Sequence, residues 1–118
     1  PAYSGAFYAE RSHGIEHSFY LGTLMRLAGA DITVFPNAGG RFAFTPGECR
    51  AIAERSRAPF SDFAPIWPAP GGGMNLDNTG AMAKDFGADA IWLVGGRLLM
   101  HPGGPEAGAR AFREKMPS

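Results

Sequence analysis

The sequence predicts an α/β fold of parallel strands joined by helices, part of a (β/α)8 barrel. Three observations predict it. Helix-like and strand-like segments alternate along the 118 residues, an order that sets strands parallel with helical crossovers between them. The triplet Gly-Ala-Asp occurs at Gly29-Ala30-Asp31 and Gly87-Ala88-Asp89, each time joining a helix to an apolar run. The 58 positions between its copies equal two strand–helix units of about 29 residues, near the ~30 of a βαβ unit. Finally, Gly71-Gly72-Gly73 and Gly95-Gly96 each follow a short apolar run.

Taken in order, residues 1–12 show no clear period and read as a loop. Over 16–28, apolar Phe19, Tyr20, Leu24, Met25, Leu27 and Ala28 recur at helical spacing, and Gly29 supplies the stop. Ile32-Thr33-Val34-Phe35 is a β-branched strand ended by Pro36 and Asn37. A glycine-bearing loop over 38–44 follows, with Arg41 its one charge. Thr45-Pro46-Gly47-Glu48 is a helix start: Thr at the N-cap, Pro at N1 and Glu at N3 closing a capping box. That helix runs to about Arg57. Residues 64–68 read as a second strand, although their prolines fit a strand poorly. Asp77 or Asn78 caps a third helix that ends at Gly87. Residues 90–94 are the third strand and 105–116 the last helix.

Composition is that of an ordinary globular domain. Eleven basic and eleven acidic residues cancel, so no net field draws nucleic acid or an anionic membrane. No stretch approaches the ~20 apolar residues of a spanning helix, and no signal peptide is recognisable. One cysteine excludes an internal disulfide and fits a reducing compartment. The expectation is a cytoplasmic protein without membrane or nucleic-acid partners. A complete barrel needs roughly 250 residues, and three strands cannot close on themselves. Residues 1–118 therefore read as a portion of a larger barrel domain, or as a chain that pairs with another.

The glycine clusters carry the functional reading. A strand that ends in glycines and opens onto a helix offers bare N–H groups to an oxyanion. Two on consecutive units match the phosphate site that a barrel builds after its last strands. Gly71, Gly72, Gly73, Gly95 and Gly96 are therefore expected to contact the phosphate of a small-molecule substrate. Arg41, at a strand's carboxyl end, is the candidate catalytic residue, a ligand for phosphate or carboxylate. Asn37, at the same tip, joins the phosphate candidates, although turn capping explains it as well. Arg97 follows the second cluster but serves equally as a helix-capping charge. His13 and His17 read as surface or capping groups, since no third ligand stands in register with them for a metal. His101 lies in a Pro/Gly loop. Cys49, Phe60, Phe63 and Trp67 read as core or barrel wall.

Several of these segments together resemble one family. His13-Gly14-Ile15 with Leu24-Met25-Arg26-Leu27-Ala28-Gly29-Ala30-Asp31 resembles the fifth barrel helix of the ribulose-bisphosphate carboxylase (RuBisCO) large-chain superfamily. Pro70-Gly71-Gly72-Gly73-Met74 is similar to its motif after strand 7. Leu93-Val94-Gly95-Gly96-Arg97 and His101-Pro102-Gly103-Gly104 are similar to its motifs at and after strand 8. Pro1-Ala2-Tyr3-Ser4-Gly5 would follow strand 5. The resemblance implies strands 6 to 8 with helices 5 to 8 of a TIM barrel. It also implies a Mg²⁺ cofactor whose ligands fall outside this span, and a homodimer of the full-length protein. Three positions depart from carboxylases: Arg41 stands where a loop lysine is needed, Val34 replaces a strand 6 histidine, and Gly71 replaces a serine. A planar guanidinium does not substitute for a compact ammonium. The resemblance is therefore to the RuBisCO-like proteins, the non-carboxylating branch. These enolise, isomerise or decarboxylate phosphorylated sugar derivatives.

Overall fold

The computed structural model describes residues 12–42 and 44–116. The readings made on residues 1–11, including the segment expected to follow strand 5, lie outside the described residues. Helix α1 is a π-helical stretch, Phe19–Leu24, continued by an α turn, Met25–Leu27. Then come β1 (Ile32–Pro36), α2 (Pro46–Arg57), β2 (Trp67–Gly71), α3 (Thr79–Phe86), α4 (Gly96–Leu99) and α5 (Gly104–Lys115).

β1 and β2 are parallel and in register from Ile32 opposite Trp67 to Pro36 opposite Gly71. The second strand thus begins three residues later than the sequence predicts. Its prolines fit because of where their missing N–H groups point. Trp67 N–H donates to the Asp31 carbonyl on the β1 side. The carbonyls of Pro68 and Pro70 face the other way and accept from Ile91 and Leu93 at 2.9 and 3.4 Å. No N–H returns from either proline. The expected third strand at 90–94 is accordingly reduced to one parallel bridge, Gly71 to Leu93. It lies beside β2 in the predicted order and direction.

The helical face of α1 differs from the predicted one. Ser18, Leu21 and Arg26 are buried, whereas Phe19 and Leu27 are exposed. The π-helical bonding moves residues off the 3.6 period on which the apolar pattern was read. The capping box at Thr45 forms as predicted: Glu48 N–H donates to Thr45 Oγ1 at 3.2 Å, and Thr45 N–H to Glu48 Oε2 at 2.8 Å. Asn78 occupies the N-cap of α3, but its side chain makes no capping bond.

Leu21, Phe35, Cys49, Ile52, Ala53, Met74, Met82 and Phe86 form the core between the helices and one face of the strands. The other face is open. Ile32, Val34, Trp67 and Leu93 are 47%, 40%, 48% and 39% exposed, while alternate Thr33 and Phe35 are 2% and 1%. Phe60 and Phe63, expected in the core or barrel wall, are also exposed and stack on each other. An uncovered apolar sheet face favours association. The 118-residue chain alone is expected to self-associate in sedimentation; a monodisperse monomer with a cooperative melt contradicts this.

Glu48 makes the α2 start pH-dependent. The Thr45 backbone N–H first, then the Thr45 hydroxyl and His17 at 3.0 Å, hold its carboxyl below the ordinary range, with burial opposing. A depressed carboxyl contributes stability above its unfolded pKa of about 4.3, and that contribution is lost as pH falls through the lower folded value. Glu48→Ala removes the side-chain half of the capping box and is expected to cost about 0.5–1.5 kcal/mol at neutral pH. In urea denaturation, its difference from the parent should shrink below about pH 4.

Candidate functional site

The loops at the carboxyl ends of β1, β2 and the 90–94 segment meet at one edge, as parallel strands require. They enclose a cleft of about 570 Å³ lined by Gly39, Gly71, Gly72, Gly73, Met74, Asn75, Leu93, Gly95, Gly96, Arg97 and Met100. Both predicted glycine clusters are in it. Their roles differ, although the sequence assigns them one.

The first cluster is explained within the chain. Gly72 and Gly73 have φ of +97° and +70°, which glycine adopts without strain. A Cβ on Gly73 would come within 2.9 Å of the Gly39 carbonyl oxygen and 3.0 Å of the Gly40 nitrogen. The loops after β1 and β2 therefore touch backbone to backbone. A Cβ on Gly71 would rest against Leu93 at 3.4 Å. This cluster does not open directly onto a helix either, because α3 starts only at Thr79. Between them, Asn78 Nδ2 donates to the Gly73 carbonyl at 2.9 Å, and Asn75 Oδ1 accepts from the N–H groups of Asp77 and Asn78.

At Gly95 the backbone, with φ −122° and ψ −98°, lies outside the regions open to residues with side chains, whereas at Gly96 nothing in the described chain calls for glycine. Neither has a positive φ, and a Cβ on either would meet no atom within 4 Å. The close helix–strand packing that could have explained them is absent among the described residues. The space above this pair is clear, and it opens into the cleft.

The structure does not bring Asn37 or Arg41 into that lining. Asn37 is 3% exposed, and its Nδ2 donates to Met82 Sδ at 3.1 Å. Its side chain braces the core at the tip of β1. Arg41 is exposed on the β1 loop, with its guanidinium carbon 5.6 Å from the centre of the Phe42 ring. Conversely, Asn75 and Met100 line the cleft and were not read from the sequence. Asn75 could have been found from the Asn-x-x-Asn spacing after the glycines.

The other candidates have structural partners. His17 stacks on Phe44 at 4.3 Å and bonds Glu48. His101 Nδ1 accepts from Gly103 N–H at 3.1 Å. Cys49 is buried, its thiol donates to the Pro36 carbonyl, and burial pushes its pKa up. Among the described residues, no group of three or more His, Cys, Asp or Glu side chains could hold a metal ion. No described helix is long and apolar enough to cross a membrane.

No protein-family model matches the chain. It is 47% identical over 79 residues to ribulose bisphosphate carboxylase-like protein 1 of Rhodopseudomonas palustris, covering 67% of this chain and 22% of that protein. To the 2,3-diketo-5-methylthiopentyl-1-phosphate enolase of Exiguobacterium sibiricum it is 38% identical over 116 residues, 98% of this chain and 29% of the enzyme. The solved rubisco-like protein of Alicyclobacillus acidocaldarius superposes with a TM-score of 0.88 at 37% identity, over 98% of this chain and 29% of that one. The chain thus spans about a quarter of the length of the relatives it matches. Parallel strands, helical crossovers and these superpositions define an α/β fold like that of the carboxyl-terminal barrel domain of RuBisCO. The chain belongs to the RuBisCO large-chain superfamily, among the RuBisCO-like proteins.

Proposed function

We propose that this chain supplies the phosphate-binding loops of a cytoplasmic RuBisCO-like enzyme that enolises a phosphorylated ketose derivative. The reaction is of enolase, isomerase or decarboxylase type. The carrying observation is the clear space above Gly95 and Gly96, of which Gly96 has neither a conformational nor a packing reason to be glycine. Gly71 and Gly72 form the facing wall, and β1, β2 and the 90–94 segment are strands 6 to 8 of the barrel. Relatives bearing the names of an enolase and an isomerase of methylthio-pentose phosphates support the substrate class. Arg41 in place of a loop lysine, with Val34 and Gly71, argues against carboxylation.

Mg²⁺ belongs to the proposal as the group that stabilises the enediolate, with ligands outside this span. The described residues form no set to hold it. They contribute a grip on the phosphate, whose binding energy, remote from the reacting carbon, positions the substrate. Arg41, whose guanidinium carbon lies 5.6 Å from the centre of the Phe42 ring, remains the candidate catalytic residue, a ligand for the substrate's phosphate or carboxylate. The full-length protein is proposed to be a homodimer.

The test is to incubate the full-length protein with Mg²⁺ and phosphorylated ketoses in D₂O and follow solvent deuterium exchange by NMR. Exchange α to the carbonyl, or a new enol or isomer, supports the reading. Binding without exchange leaves a non-catalytic phosphate-binding barrel, and carbon dioxide fixation on ribulose bisphosphate makes it a carboxylase.

A further inference from the structure

We propose that Arg97 is the cation by which the glycine cleft selects a doubly charged phosphomonoester over singly charged anions, an inference that rests on the phosphate reading above. Of the residues lining the cleft, Arg97 alone is charged, and no carboxylate is among them. Arg97 is exposed and makes no ion pair or hydrogen bond with another described residue. The contrast with the other arginines is informative. Arg26 and Arg57 are occupied by backbone carbonyls, and Arg50, Arg55 and Arg110 by carboxylates. Arg41 and Arg113 also lack such partners among the described residues, but neither lines the cleft.

The backbone that carries Arg97 is held firmly. Beneath it α4 packs on α5 so closely that a Cβ on Gly108 would come within 2.6 Å of the Leu98 carbonyl oxygen. The guanidinium therefore extends from a fixed base, directly after the one glycine pair whose space is empty. Its planar fork pairs with two phosphate oxygens at once, which a compact ammonium cannot reproduce. The glycine walls contribute N–H groups that bind either ionisation state. A full positive charge distinguishes the dianion, because its attraction scales with the ligand's charge.

The test uses the full-length protein with inorganic phosphate as probe, titrated by calorimetry at several pH values across the second ionisation of phosphate. Gly96→Asp serves as the reference variant, and circular dichroism checks each fold. The parent should bind more tightly as phosphate becomes the dianion. Arg97→Gln should bind about ten- to a hundredfold more weakly and lose most of that pH slope, and Arg97→Lys should regain part of the slope. A merely structural arginine would leave the slope unchanged, so an Arg97→Gln variant that keeps it overturns the proposal. If that variant binds like the parent while Gly96→Asp does not, Arg97 is a solvated charge and the phosphate reading stands. If Gly96→Asp also binds like the parent, both fall.

Discussion

Arg26→Ala in the full-length protein is expected to lower stability by about 3 kcal/mol or more, since hydrogen bonds made by a charged group contribute ~1.5–3 kcal/mol each. Arg26 is 4% exposed. Its Nε donates to the Ala64 carbonyl at 2.7 Å, Nη2 to Phe63 at 2.6 Å, and Nη1 to Ala58 at 2.6 Å and Arg55 at 3.4 Å. One guanidinium therefore ties α1 to the carboxyl end of α2, where carbonyls lack helical partners and a cation is favoured. It also holds the segment that leads into β2. Loss of this clamp frees residues 58–66, and β2 then loses its fixed starting point at Ile66, whose N–H donates to the Ser56 carbonyl. Arg26→Lys should recover only part of the loss, because a single ammonium cannot reach carbonyls so widely spread. Urea denaturation measures the effect; a loss under about 1 kcal/mol for Arg26→Ala would mean that water replaces the guanidinium at those carbonyls.

Arg26 also marks the limit of what the residue pattern discloses. Helix α2 was readable because its start signal is local: Thr45 and Glu48 complete each other within one turn. β1 was readable because a β-branched run ends in Pro36 and Asn37. β2 was displaced because proline normally argues against a strand, and its tolerance depends on which neighbour each missing N–H would face. That is a property of the pairing and not of the segment. The buried face of α1 departs from the apolar pattern because π-helical bonding shifts the period, and Arg26 is buried on it by partners 29 to 38 positions away. Such partners give no periodic signal.

The candidate site was legible as a place more than as a set of roles. Parallel order predicts that both glycine clusters share one edge, and they line one cleft. Which glycines serve conformation and which leave space could not be read, because that depends on the distance between two loops. Beyond its positive φ, Gly73 is explained by the approach of Gly39 and Gly40, over 30 residues earlier in the chain. Asn37 looked available at a strand tip, but the core reaches up to it through Met82.

Gly96→Asp is expected to weaken binding of a phosphorylated ligand by the full-length protein at least tenfold, about 1.4 kcal/mol, with the fold unchanged. A Cβ there meets nothing within 4 Å and φ is not positive, so the native chain accepts the side chain without strain. The aspartate then fills the space assigned to phosphate and opposes its charge. Gly73→Ala supplies the opposite signature. Its φ of +70° and the 2.9 Å approach to the Gly39 carbonyl oxygen predict lost stability of ~1–3 kcal/mol, with binding affected only through the loop contact. Gly72→Asp is a poorer probe than Gly96→Asp, because its φ of +97° mixes backbone strain with any effect on the ligand. Calorimetry with a sugar bisphosphate analogue, paired with thermal melts, separates the two signatures. If Gly96→Asp folds normally and binds as tightly as the parent, the clear space above the glycine pair belongs to solvent and the phosphate lies elsewhere.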